Sequence, residues 1–213
     1  MHVSAECRWF TRSNPTGLIL REWFFDSAEH SYPLGEGVHR QDGYLLDPEQ
    51  PELGIKRRGS QAGVEIKGLV FLADAPVECG TLAAKVEIWS KWTSARLDLS
   101  PFETITISKT RWVRTFNTST AEPTEIEPNG DEHRQTSRII PVQGCNVEFT
   151  EIDAFGVSCF SLGVESFGSF AEVDASLRRT ATVLASRRIP SLPDMFAASY
   201  PQWIARMMTE GRR

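Results

Sequence analysis

Apolar and polar residues alternate with period two along most of the chain up to Phe167, and each alternating run predicts a β-strand. Residues 2–12 form the first, with Ser4, Glu6 and Arg8 on one face and Ala5, Cys7 and Trp9 on the other. Asn14-Pro15 then starts a short helix, Asn as N-cap and Pro at the first helical position, which carries Leu18, Ile19, Trp23 and Phe24 to about residue 25. A polar loop leads to a strand over Arg40–Leu46, closed by turn residues 47–51. Two strands follow, over Leu53–Gly59 and Gly63–Gly68, the second prolonged to Ala73, with 74–80 read as a loop. Ala83–Trp92 and the β-branched run Thr104–Phe116 are further strands. Residues 117–137, rich in Ser, Thr, Pro and acid, are an exposed connection, and Val142–Ile152 and Ser158–Phe167 are the last two strands.

The period then changes. Ser169-Phe-Ala-Glu172 reads as a capping box, with Phe170, Val173, Leu177, Ala181 and Leu184 at helical spacing behind it. Pro190 and Pro193 break that helix, and a last helical segment over 194–209 has Trp203, Ile204, Met207 and Met208 as its apolar side. Eight antiparallel strands with one helix after the first and two at the end close into a barrel or pack as a sandwich. No linker divides the chain, so residues 1–213 are expected to form one domain, with 169–213 as its C-terminal helices.

Charge changes this picture more than composition does. Lys56, Arg58, Glu65 and Lys67 share one face of the strand pair at 53–68, opposite Ile55, Val64 and Ile66. Glu6 and Arg8, Lys85 and Glu87, Lys109 and Arg111, then Glu148 and Glu165 also fall inside strands. In an ordinary antiparallel sheet such a face is the solvated one. Here Trp9, Ile88, Ile105 and Val113 are assigned to the opposite faces, and three amphipathic helices are available to cover them. That turns the charged faces inward, where mixed signs with cations in excess suit a multiply charged anion held with a divalent metal. Lys91 or Arg114 joins the set according to local register, and a slip of one residue would exchange the whole set.

Bulk properties exclude several alternatives. Hydrophobic residues are 40% and charged residues 24% of 213, ordinary for a globular protein, and the net charge of −5 gives no support to nucleic-acid binding. The N-terminal sequence lacks a signal-peptide core and no run reaches membrane-spanning length, so a cytoplasmic protein with no membrane partner is expected. Cys7, Cys79, Cys145 and Cys159 show no metal or redox spacing and are read as reduced thiols. The sequon at Asn117-Thr-Ser119 is then accidental. Trp89 and Trp92 flank Lys91 and could stack on a base, but strand aromatics are more often packing.

Gly54-Ile-Lys-Arg-Arg58 and Glu65-Ile-Lys67 resemble the basic hairpin of the CYTH superfamily, the triphosphate tunnel metalloenzymes that include class IV adenylyl cyclases and thiamine triphosphatases. The order of elements is similar over residues 2–168. The resemblance implies a mainly β protein with α-helices: an eight-stranded antiparallel closed barrel, or tunnel, with a helix after the first strand and C-terminal helices packed outside. It implies phosphate binding by Arg8, Lys56, Arg58, Lys67 and Arg111, Mg²⁺ or Mn²⁺ held by Glu6, Glu148 and Glu165, and Glu65 as an orienting partner. Where the family has Glu-x-Glu-x-Lys, this chain reads Ser4-Ala-Glu6-Cys-Arg8, one carboxylate fewer. Three readings follow: a metal-dependent hydrolase of a small-molecule triphosphate or polyphosphate, an anion-binding barrel without turnover, and a sheet whose charges face water.

Overall fold

The computed structural model describes residues 2–47, 49–59, 63–127 and 141–210. Its strands are β1 (His2–Thr11), β2 (Val38–Leu45), β3 (Leu53–Arg58), β4 (Val64–Cys79), β5 (Leu82–Ser94), β6 (Thr104–Asn117), β7 (Thr124–Ile126), β8 (Gly144–Ala154), β9 (Val157–Phe167) and β10 (Phe196–Ala197). Helices α1 (Asn14–Phe25), α2 (Val173–Ser186) and α3 (Tyr200–Glu210) complete the order. Eight strands pair antiparallel in the sequence β1-β5-β4-β3-β2-β6-β8-β9, and β9 pairs back onto β1, which closes the barrel. β7 lies outside the ring against β6, and β10 extends it beside Trp9 and Phe10 of β1. An eight-stranded barrel has an interior that side chains can fill or that can hold one small ligand.

The principal core lies outside the ring. Ala5, Cys7 and Trp9 of β1, Val86 and Ile88 of β5, Val147 and Phe149 of β8, and Leu162 and Val164 of β9 face outward. They pack beneath Leu20, Trp23 and Phe24 of α1 and Val173, Leu177, Ala181 and Leu184 of α2. A second apolar cluster fills one end of the lumen, where Phe10, Tyr44, Ile107, Ile152 and Cys159 meet Trp203, Ile204 and Met207 of α3. Phe10 stacks on Trp203 at 5.1 Å and meets Tyr200 edge-on at 5.4 Å. α3 therefore closes a barrel end rather than lying along the outer wall. Val64 and Ile66 form a small outer cluster with Leu99.

Several local expectations are corrected. The N-cap of α1 is Ser13, whose Oγ accepts from the Thr16 amide, so Asn14 is already helical, and Leu18 and Ile19 are exposed while Leu20 is buried. Residues 74–79 continue β4 instead of looping, because two register shifts against β5 carry the pairing past Pro76 to Cys79. No capping box forms at α2: Glu172 makes no side-chain cap, the Ser169 carbonyl accepts from the Glu172 and Val173 amides, and Phe170 is exposed. The last helix starts at Tyr200 instead of residue 194, with β10 occupying part of the interval. Ile105 points into the lumen beside the second cluster, and Val113, level with Glu148 across β6–β8, shares that side. The 128–137 part of the exposed connection and residues 211–213 lie outside the described residues.

Candidate functional site

Lumen-facing positions away from the apolar end enclose a cavity of ≈ 580 Å³, within the range that takes a small organic ligand. Lys56, Arg58, Glu65 and Lys67 of the β3–β4 hairpin line it, as do Glu6 and Arg8 of β1, Arg111 of β6, Glu148 of β8 and Glu165 of β9. The nine residues assigned to phosphate, metal or orienting roles are thus gathered around one space, although they come from six strands. Lys91 of β5 belongs to it and Arg114 does not. Regular alternation along β6 sends Lys109 and Arg111 inward and Arg114 outward, where its guanidinium is buried against Glu125, 2.6 Å away. Lys85 is exposed, because it lies where the β4–β5 ribbon passes beyond the ring.

Four lining or adjoining groups escape the sequence reading. Arg40, Asp42 and Tyr44 alternate along β2 and meet Lys109 of β6. Lys109 Nζ donates to Asp42 Oδ2 at 3.1 Å and to Tyr44 Oη at 2.8 Å, and lies 3.9 Å from the centre of the Tyr200 ring. The alternation of Arg40, Asp42 and Tyr44 was the available signal. Tyr200 had none, since it enters from a helix start. Gly54 admits that helix: a Cβ there would stand 3.1 Å from the Pro201 ring.

Three ion-pair groups divide the cavity wall. Glu148 accepts from Arg8 Nη1 at 2.9 Å, from the Arg111 guanidinium and from Thr150 Oγ1 at 2.8 Å. Burial pushes its carboxyl up, but the Arg111 and Arg8 guanidiniums pull harder, so it sits well below the usual carboxylate range. Glu6 receives Lys67 on one oxygen and Lys91, at 2.6 Å, on the other, and Lys91 also bonds Glu165. The third group is cation-rich. Lys56 and Arg58 share Glu65, at 3.0 and 2.8 Å, while Arg40, Lys56 and Lys109 all converge on Asp42 Oδ2.

Eight cations line the cavity against five carboxylates, with Asp42 behind them, in a protein whose overall charge is −5. The excess shows in titration. Burial, reinforced by Arg58 and Arg40, pulls the Lys56 ammonium down to about 8 despite Glu65. Burial and then Lys56 lower Lys109 well below its ordinary value. Arg40 Nε and Arg58 Nε are buried donors without a partner among the described residues. A buried donor without an acceptor costs about 1–3 kcal/mol, so this wall gains from an anion.

Glu6, Glu148 and Glu165 are not brought to one point. Among the described residues no three His, Cys, Asp or Glu side chains are grouped to hold one ion. Register explains why: Glu6 and Glu165 face each other across β1–β9, whereas Glu148 is opposite Gly163, level with Arg8 and one pleat away. Each of the three is already engaged by cations of the chain itself.

Gly163 has a specific role in that register. A Cβ on it would come within 2.4 Å of Arg8 Nη2, so its missing side chain is the space through which Arg8 reaches Glu148 and Ser161. Gly163→Ala is expected to cost about 1–3 kcal/mol, the worth of a charge-assisted bond, as a lower urea midpoint. In an Arg8→Ala background the same substitution should be nearly neutral, because its clash partner is gone.

The chain matches no known family and no curated protein. Among solved structures 11 chains are similar. One is the PH1819 protein from Pyrococcus Horikoshii OT3, with a TM-score of 0.38 and 12% identity over 94% of this chain and 98% of the other. Among the described residues, no helix is long and apolar enough to cross a membrane. The four cysteines are free and buried.

Proposed function

We propose that the barrel binds a compact, multiply charged oxyanion of the triphosphate or polyphosphate class in its lumen. One observation carries this reading: eight cationic side chains surround one cavity, and two of the guanidinium nitrogens on its cation-rich wall have no acceptor among the described residues. Arg40, Arg58 and Arg111 would each present a planar fork to phosphoryl oxygens, while Lys56 and Lys109 act as point charges at the same wall. The low-dielectric surroundings strengthen those contacts relative to water. The resemblance of the β3–β4 hairpin to the CYTH superfamily supports the same ligand class. Binding, rather than turnover, is the better reading, because the carboxylates that would assemble a metal centre are spread over separate ion pairs.

Thermal unfolding with tripolyphosphate tests this. At about one hundred times Kd a ligand adds about 2.7 kcal/mol, which for a domain of this length raises the melting temperature by roughly 5–10 °C. Arg40→Ala and Arg58→Ala should lose most of that shift while melting cooperatively. The reading fails if tripolyphosphate leaves wild type unshifted, and release of orthophosphate with Mg²⁺ or Mn²⁺ would replace it by the hydrolytic one.

A further inference from the structure

Glu87, Glu6 and Glu165 stand side by side on β5, β1 and β9, paired residue to residue across the sheet. Carboxylates in such a row repel, and the repulsion is relieved by a proton on one of them or by a cation between them. Here the chain places its own ammoniums there. Lys91 Nζ lies 2.6 Å from Glu6 Oε1 and bonds Glu165, while Lys67 bonds the other oxygen of Glu6. Ser4 Oγ donates to Glu6 Oε1 at 2.7 Å, which leaves that carboxylate few free lone pairs. Lys67 is fixed from behind, 4.4 Å from the centre of the Trp89 ring, and Trp89 Nε1 donates to Glu87 at 3.0 Å. We propose that Lys91 takes the place of a divalent cation in this barrel, bridging Glu6 and Glu165, and thereby makes polyanion binding independent of metal.

The charge balance agrees. Two ammoniums face three carboxylates, and Lys67 and Lys91 between them engage both oxygens of Glu6, so little of that carboxylate is open to a second cation. Glu6 stays ionised: burial opposes it, but Lys67 and Lys91 hold it well below the carboxylate range. Without Lys91, the facing pair Glu6 and Glu165 would be left with hard oxygen donors directed at one space, a partial divalent site.

The proposal rests on the lumen being an anion site, and two titrations separate the two ideas. Tripolyphosphate is titrated calorimetrically into chelator-treated wild type, with and without Mg²⁺. Mn²⁺ alone is titrated into wild type, Lys91→Met and Lys91→Gln, with binding read by electron paramagnetic resonance. Tripolyphosphate should bind chelated wild type at least as tightly as in Mg²⁺. Mn²⁺ should bind either folded variant roughly tenfold or more tighter than wild type, because affinity follows the net charge of the ligand set. A requirement for Mg²⁺ in the first titration overturns the Lys91 proposal while sustaining the anion site. So does equal Mn²⁺ affinity of wild type and the variants. If tripolyphosphate binds under no condition, the anion reading falls, and the Mn²⁺ titration still decides whether Lys91 occupies a cation position.

Discussion

Glu148→Gln is expected to be the most damaging conservative substitution in the cavity wall. It changes one atom, yet it removes the charge that holds two guanidiniums, Arg8 at 2.9 Å and Arg111 beside it, in a largely buried place. Breaking a buried pair by deleting one partner costs about 3–5 kcal/mol, chiefly because the remaining charge stays out of water. For this length of chain that is a fall of roughly 10 °C in melting temperature. Tripolyphosphate should restore much of it, since a phosphoryl oxygen can take the position of the lost carboxylate oxygen, so the variant should be stabilised more than wild type by the same ligand. A fall without preferential rescue would mean that Arg8 and Arg111 are closed to the ligand. No fall would mean that water already serves them.

How much of this was legible in the sequence depended on which interaction set each position. Most strand faces were legible because period two is a property of the backbone: once Glu6 and Arg8 share a face, so must Ser4, and the same rule puts Ile105 and Val113 with Lys109 and Arg111, against their assignment to the outer face. Apolar cover for the outer faces was legible from Trp23, Phe24, Leu177 and Leu184 at helical spacing, and it is these helices that free the lumen from having to be the core. The length of β4 was not, because Asp74-Ala-Pro76 reads as a break, and only pairing with β5 through two irregularities sustains it. Asp42 was missed for a related reason: alone on a short strand it looks solvated, and its burial comes from Lys109, far along the chain. The grouping of Glu6 with Glu165 but not Glu148 is a matter of register between strands that one sequence does not encode locally.

The outer core and the inner charges divide two tasks. Packing of α1 and α2 on the outward faces supplies the hydrophobic stabilisation, so the lumen can hold groups that oppose folding. Arg40, Lys56, Arg58 and Lys109 are such a set: four cations over Glu65 and Asp42. Strain of this kind at a site is what a bound ligand relieves, and it makes stability and binding respond in opposite directions to the same substitution.

Lys56→Met should display that opposition. The Lys56 ammonium titrates near 8 rather than at its ordinary 10.5, so the folded protein holds its proton less tightly than the unfolded chain. The charged form therefore destabilises wild type, fully below about pH 8, and the penalty disappears as the pH rises to 10.5. Methionine removes the charge and keeps the stem. At pH 7 the variant should be more stable by roughly 1–3 kcal/mol, below the full value of the shift at 1.36 kcal/mol per pH unit because its bond to Glu65 is also lost. The advantage should vanish at high pH, where both proteins carry a neutral group. Tripolyphosphate affinity should move the other way, falling by roughly tenfold for the loss of a charge-assisted contact. In wild type, affinity should be level below pH 8 and decline above it, since a bound anion raises Lys56 and draws a proton in. Chemical denaturation and calorimetry at pH 7 and pH 10 measure both quantities. A variant less stable at pH 7 would show that Glu65 and Asp42 already balance the wall, and the case for an anion there would go with it.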